Sequence, residues 1–349
     1  MTGYAIGIDG GGTKTLCLLA DAQGRVLACT EAKGTNHQLC GAAEAGRRLG
    51  AAVEALLRQA DVAPSQVGFV CMGLSGADTP QDVVVLEENL PPPLAQMPHQ
   101  ILNDVWIAFA AGTAQPTGAV SICGTGHNAA VRAPNGKTAG INALRYPLGN
   151  VGGGRMMTDA ALHAAFRCWE HTGPATRLAA ELPGAAGLPD MDGVCRAVYA
   201  SGYTAQYAWP VPRLVDELAC AGDAVCTALL ERFGAEQGTM LAGLLRYTGY
   251  TQGPVPVVLA GSIYEKTKSP ALVDAFCRAV RADCPGAQFT VVRCQPCTGA
   301  VALALAHLMP GASLEKRARW LLSIKKTFTN GRGELHGQGT ERLRAAARG

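Results

Sequence analysis

Three consecutive glycines, two hydroxyl residues and a lysine crowd the segment Ile6-Gly-Ile-Asp-Gly-Gly-Gly-Thr-Lys-Thr15, directly after an apolar run. Gly10, Gly11 and Gly12 let backbone N–H groups approach an anion with no Cβ in the way, and Thr13, Lys14 and Thr15 add hydroxyls and a positive charge. That chemistry suits the cradling of phosphate. Asp9, at the end of the preceding strand, is placed to hold Mg²⁺ on the same phosphates, because Mg²⁺ takes one or two carboxylates together with phosphate oxygens. An ordinary hairpin turn would need fewer glycines. The glycines lead into a strand and not a helix, so the loop is neither a Walker A loop nor a Rossmann turn. A second turn, Ser121-Ile-Cys-Gly-Thr-Gly-His-Asn128, sets Gly124, Thr125 and Gly126 in the same context.

Asn103-Asp104 stands at a strand-to-helix junction. A carboxylate there can accept the proton of a hydroxyl as it attacks a phosphoryl group. Its structural alternative is helix capping, since Asp is a favoured N-cap. Asn36, in Gly34-Thr-Asn-His37, has an amide that donates and accepts at once, which suits vicinal hydroxyls, and its alternative is an Asx turn.

The elements that must position these residues follow from hydrophobic periodicity. Strands are expected over Tyr4 to Asp9, Lys14 to Ala20 and Arg25 to Thr30, with Asp21 to Gly24 as a hairpin turn. A helix follows over about 42 to 59, then strand 67 to 74, a helix near 80 to 89, strand 99 to 103 and a helix from Val105. At Thr117 the pattern restarts with strands 118 to 123 and 128 to 133 and a short one near Thr138, so one unit is used twice. The second unit carries a helical insertion over about 155 to 247, then strand 255 to 260, helix 270 to 283, strand 288 to 292 and helix 298 to 308. Two such α/β domains facing each other would bring both glycine turns to one cleft.

Composition narrows the class. A length of 349 residues favours two domains, and 48% hydrophobic against 16% charged residues excludes a disordered chain. The start has no basic stretch ahead of an apolar one, and no run of 18 apolar residues occurs, so a cytoplasmic protein without membrane contact is expected. Thirteen scattered cysteines, an odd number, fit a reducing compartment, and Cys294 and Cys297 lack the partners that would complete a metal site. Residues 313–349 hold nine Lys/Arg against three Asp/Glu, which leaves the first 312 at −3. With only Trp320 and Phe328 as stacking platforms, this tail reads as a solvated terminus and not as a nucleic-acid module.

Together the two turns resemble the paired phosphate loops of the sugar kinase, heat-shock chaperone and actin superfamily, and the likeness spans nearly the whole chain. The resemblance implies an α/β fold of two ribonuclease H-like (actin-like ATPase) domains around a nucleotide cleft, which closes on ATP and Mg²⁺ and excludes water. It divides the chain into 1–115, 116–312 and a basic tail 313–349. Asp104 becomes the catalytic base and, with Asp9, a metal ligand. Val257-Val-Leu-Ala-Gly-Ser-Ile263 resembles the adenosine motif, with Gly261 and Ser262 at the nucleotide, and Ala219-Cys-Ala-Gly-Asp223 resembles the segment lining adenine, with Ala219 as the contact.

Within the superfamily the chain is most similar to BadF/BadG-type ATPase domains of the N-acetylglucosamine kinase kind. Gly34-Thr-Asn-His37, Met72-Gly-Leu-Ser-Gly-Ala-Asp78 and Asn103-Asp104 sit where that family contacts substrate, which implies sugar contacts from Asn36, Ser75, Gly76, Asn103 and Asp104. The chain departs from the pattern at Gly149-Asn150-Val151-Gly152, where those kinases carry Gly-Asp-Glu-Gly, and at Ala143-Leu144-Arg145, where they carry a glycine-tryptophan-glycine piece. A neutral Asn150 at the sugar and a nearby cation widen the expected substrate from N-acetylglucosamine to glucosamine or N-acetylmuramic acid. Gly152 to Gly154, ahead of a helix, offer further amides to an anion. A homodimer is compatible with the resemblance.

The alternative is a non-kinase ATPase of the same fold, such as a dehydratase activator. That class needs cysteines beside glycines to bridge an iron–sulfur cluster, and no such context occurs. A repressor of this fold would need a helix-turn-helix ahead of the first loop, whose strand begins at about Tyr4.

Overall fold

The structure is a computed structural model that describes residues 3–141 and 146–329. Ala143, Leu144 and Arg145 therefore lie outside the described residues. The chain divides into unit 1, Met1–Pro116 with Arg293–Gly349, and unit 2, Thr117–Val292.

Unit 1 is built on β1 (Tyr4–Gly10), β2 (Lys14–Ala20), β3 (Val26–Lys33), β4 (Val67–Leu74) and β5 (His99–Asn103). The spatial order is β3-β2-β1-β4-β5, with the first three antiparallel and β4 and β5 parallel to β1. Helix Ala42–Ala60 covers one face through Leu49, Val53, Leu56 and Leu57, spaced as one helical stripe. The opposite face is covered by helices Asp104–Gly112 and Cys297–Leu308. Helix Cys297–Leu308 comes so near β1 that a Cβ on Gly7 would stand 2.4 Å from the Val301 backbone nitrogen, so only glycine fits there.

Unit 2 repeats the plan with β6 (Gly118–Cys123), β7 (His127–Arg132), β8 (Thr138–Gly140), β9 (Val255–Ala260) and β10 (Ala287–Val291). Its order is β10-β9-β6-β7-β8, so strand for strand it reproduces the first sheet. The duplication expected from the restart at Thr117 is therefore present in the topology. The insertion between β8 and β9 holds helices Gly154–Trp169, Leu178–Ala185, Met191–Ala200, Val211–Cys220 and Ala224–Thr248. The last of these starts at Asp223, whose carboxylate accepts the N–H groups of Val225 and Cys226, the hydroxyl of Thr176 and the N–H of Arg177.

Two expectations are corrected. The division at 116–312 and 313–349 puts the stretch after residue 292 in the second domain and the tail, but it returns to unit 1, because helix Cys297–Leu308 supplies apolar cover for β1 and β4. Nor is the described part of the tail solvated. Residues 314–329 form a helix that buries Trp320, Leu321, Ile324 and Phe328. Trp320, Ile324 and Phe328 join the apolar cluster that holds Leu18 and Ala20, and the Thr327 hydroxyl accepts the Val26 N–H at 3.0 Å. Basic composition masked an apolar stripe of one residue per turn. Trp320→Ala should lower unfolding free energy by about 3 to 5 kcal/mol. Denaturant melts within about 1 kcal/mol of the parent would show that the helix is not docked.

Candidate functional site

Parallel pairing sets the candidate site of unit 1. The register aligns Gly10 with Leu74 and Leu74 with Asn103, so the carboxyl ends of β1, β4 and β5 stop at one level. Asp9, Ser75 and Asp104 thereby share one sheet edge, the usual location of ligand sites in such sheets.

Asp104 opens helix Asp104–Gly112, but the N-cap is Asn103, whose Oδ1 accepts the Val105 N–H at 3.0 Å. The capping alternative for Asp104 is thus taken by its neighbour. Burial raises the Asp104 carboxyl to about 6, and the charge of Asp78 adds to the shift. Asp9 is raised to about 7, first by burial and then by Asp104, with Lys14 acting against both. Lys14 itself lies 3.7 Å from Glu31.

A polar cluster adjoins these carboxylates. Asn36 Oδ1 accepts the Gln38 N–H at 2.9 Å, and its Nδ2 donates to Ser75 Oγ at 3.2 Å. A Cβ on Gly76, which has φ of +93°, would stand 2.9 Å from Asn36 Oδ1. The Asx turn and the substrate-facing amide are therefore compatible: Asn36 caps a short helix, His37–Cys40, and retains one amide hydrogen. Asn103 is more fully engaged, since its Nδ2 also donates to Asp78 Oδ1 at 2.8 Å. Gln38 Nε2 reaches Gly76 O and Asp78 Oδ2, each at 3.3 Å. Neither Gln38 nor Asp78 was among the expected site residues, although Asp78 closes a motif read for its Ser and Gly.

The first glycine turn is only partly the expected cradle. The Gly11 N–H donates to Lys14 O at 2.9 Å, and Gly11 O accepts the N–H groups of Thr35 and Asn36. Gly10 lies inside β1, where a Cβ would stand 2.4 Å from Thr35 Oγ1, so close packing alone explains it. Thr15 is fully buried and its hydroxyl pairs with that of Thr35 at 2.9 Å, which removes it from the loop face. Gly12, Thr13 and Lys14 are exposed.

In unit 2 the second turn is open. A Cβ on Gly124 or Gly126 would meet nothing within 4 Å, and neither residue has the positive φ that favours glycine. Neither packing nor backbone conformation asks for glycine at these positions, and the turn is open to the approach of a ligand. The loop is strapped from behind: Gly154 N–H donates to Gly124 O at 2.7 Å and Arg155 N–H to Thr125 O at 3.2 Å. Of the amides of Gly152 to Gly154, expected to face an anion, that of Gly154 instead holds a loop carbonyl and that of Gly152 donates to Met156 Sδ at 3.4 Å. Gly153, with φ of +86°, comes so near that its Cβ would fall 2.4 Å from Gly126 Cα.

Gly261 abuts the same loop, for a Cβ there would be 2.5 Å from Cys123 O, and Ser262 follows it exposed at the start of helix Ser262–Lys266. Ala219, in helix Val211–Cys220, is partly buried and packs on the unit's core. Asn150 is corrected. It is 5% exposed, its Nδ2 donates to His127 O at 2.9 Å, and its Oδ1 meets His127 Nδ1 at 3.2 Å. The amide pins β7 from within and does not present itself to a sugar.

The two raised carboxyls carry a consequence for stability. Unfolded Asp9 ionises near 3.8 and folded Asp9 near 7, so between these values the folded chain holds the extra proton and stability falls as pH rises. Asp9→Asn, in the absence of divalent cations, should therefore melt higher than the parent at pH 8 and equal to it below about pH 4. A parent-like melting temperature at pH 8 would contradict the raised value.

The model of the BadF/BadG/BcrA/BcrD ATPase family matches residues 6–304. The chain is 23% identical over 301 residues to an N-acetylmuramic acid/N-acetylglucosamine kinase of Clostridium acetobutylicum, covering 86% of this chain and 98% of that one. It is 25% identical over 314 residues to an N-acetyl-D-glucosamine kinase of Dictyostelium discoideum, covering 86% and 97%. Among solved structures, a Chromobacterium violaceum protein provisionally named an N-acetylglucosamine kinase superposes with a TM-score of 0.66 at 22% identity, over 86% of this chain and 98% of that one. The likeness to that structure is one of fold.

Proposed function

The chain belongs to the BadF/BadG/BcrA/BcrD ATPase family, and from that premise we propose that it is an ATP-dependent kinase acting on a hydroxyl of an amino sugar. The substrate is N-acetylglucosamine or a close relative, glucosamine or N-acetylmuramic acid, as the printed activities of the two curated relatives support. The observation that carries the reading is Asp104: a carboxyl raised to about 6, at the same strand-end level as Ser75, to which Asn36 donates, with its helix already capped by Asn103. A group with that pKa is ionised at neutral pH and still basic enough to accept a proton.

Asp104 accepts the proton of the sugar hydroxyl as its oxygen attacks the γ-phosphoryl group of ATP. Asn36 and Ser75 orient neighbouring hydroxyls through the remaining amide hydrogen and the Ser75 oxygen. Gly124, Thr125 and Gly126 admit the phosphates, with Gly12, Thr13 and Lys14 as the corresponding turn of unit 1, and Gly261 and Ser262 lie against the nucleoside. The carboxylates of Asp9 and Asp104 fit a divalent cation, since Asp104 raises Asp9 and Lys14 is the counter-charge that opposes it. Bound Mg²⁺ would neutralise phosphate charge. The thirteen cysteines, all free thiols, support a reducing, cytoplasmic setting.

The test offers ATP and a panel of amino sugars to the protein and follows products by mass spectrometry. A product heavier by one phosphoryl group is expected for at least one sugar. ATP hydrolysis with every sugar left unmodified would replace the kinase by another ATPase of the family.

A further inference from the structure

Behind the second glycine turn, six polar side chains from five separate parts of unit 2 form one buried chain. Asn150 meets His127 Nδ1 at 3.2 Å, His127 Nε2 meets Ser121 Oγ at 3.0 Å, and Ser121 Oγ meets the Tyr264 hydroxyl at 3.0 Å. Tyr264 continues to the Gln237 side-chain amide, which lies 3.5 Å from Cys123 Sγ. All six are at most 5% exposed.

The protons in this chain can be assigned from its ends. Asn150 Nδ2 is fixed on His127 O, so its Oδ1 faces the ring and Nδ1 must be the donor. Burial pushes the imidazole down to about 4, so the ring is neutral and Nε2 is an acceptor for the Ser121 hydroxyl. As the amide stands, the Tyr264 O–H donates to Gln237 Oε1; with that amide turned end for end, an exchange of O and N that leaves the contacts in place, Tyr264 donates to Ser121 Oγ and accepts an N–H from Gln237. Every member is satisfied in this one direction, which is the condition under which a buried network rigidifies its surroundings.

The chain joins the two parts of the nucleotide site that sequence places far apart. Ser121 and Cys123 precede Gly124, His127 follows Gly126, Asn150 leads into the strap at Gly153 and Gly154, and Tyr264 stands two residues after Ser262. We infer that His127, Ser121 and Tyr264 are positioning residues for ATP: they hold the phosphate turn 124–126 and the turn at Gly261–Ser262 in one register without touching the nucleotide. The inference rests on the proposed use of these turns for ATP.

ATP binding is measured directly by calorimetry on the full chain, without sugar. Tyr264→Phe removes one oxygen and keeps the ring against Phe276, 5.9 Å away. It should weaken ATP binding about tenfold, the value of one buried hydrogen bond. Ser121→Ala should do the same, and the double variant should be no weaker than the weaker-binding single, because both cut one chain. In turnover, KM for ATP should rise while kcat and KM for sugar stay within twofold. The ¹⁵N shifts of His127 in the parent should show a neutral ring protonated at Nδ1. ATP affinity within twofold of the parent in folded Tyr264→Phe, additive losses in the double variant, or a ring protonated at Nε2 would each overturn the inference. A parent that binds ATP but phosphorylates no amino sugar would instead remove the kinase reading and leave the positioning role standing. The ring measurement needs no variant, so a Ser121→Ala chain that fails to fold does not remove the test.

Discussion

Asp104→Asn should lose about 10² to 10⁴ in kcat while binding ATP as the parent does. The amide keeps the size and one acceptor oxygen, but it cannot take up a proton at neutral pH. Folding should be retained because the helix keeps its cap at Asn103, 3.0 Å from the Val105 N–H. Removing a carboxyl that burial raises to about 6 also removes an unfavourable charge, so the variant should melt no lower than the parent at pH 8. These two features separate catalysis from structure. A variant with full activity would sink the assignment of Asp104 as base. KM for the sugar is expected to rise in parallel, since the same carboxylate accepts a hydrogen bond from the bound hydroxyl.

Gly126→Val should weaken ATP binding by at least about a hundredfold, the loss of roughly two charge-assisted hydrogen bonds to phosphate at about 1.5 kcal/mol each. Its fold should survive, because a Cβ at that position meets no protein atom within 4 Å. Gly11→Val is the less clean experiment: its Cβ would crowd Lys14 O at 3.2 Å within the hairpin, so lost binding there could follow from a displaced strand. Calorimetric titration with ATP and a thermal melt on the same Gly126→Val protein decide the matter. Parent-like affinity in a folded variant would mean that phosphates do not enter the 124–126 turn.

The architecture was legible where its signals are local. The apolar run Leu16 to Ala20, the stripe of helix Ala42–Ala60 and the glycine turns are each set by a few neighbouring residues, and each formed close to its expected bounds. Even the duplication was readable, because the second sheet repeats the strand order of the first from Gly118 onward. Short helices such as His37–Cys40 and Ser262–Lys266 were not, since four or five residues carry too little periodicity to register.

The site divides in the same way. Residue types and spacing alone determined that this chain carries two glycine turns, a carboxylate at a strand end and an amide suited to vicinal hydroxyls. Only tertiary structure decided which polar groups remain available, because that depends on partners far away in sequence. Thr15 is withdrawn by Thr35, Asn150 by His127, and the capping duty of Asp104 by Asn103 held against Asp78. The tail shows the same limit: its charge is visible in any window, whereas the burial of Trp320 requires Leu18 and Ala20, some 300 positions earlier. A local pattern states what a side chain can do; burial and hydrogen-bond partners, set by distant residues, decide what it is free to do.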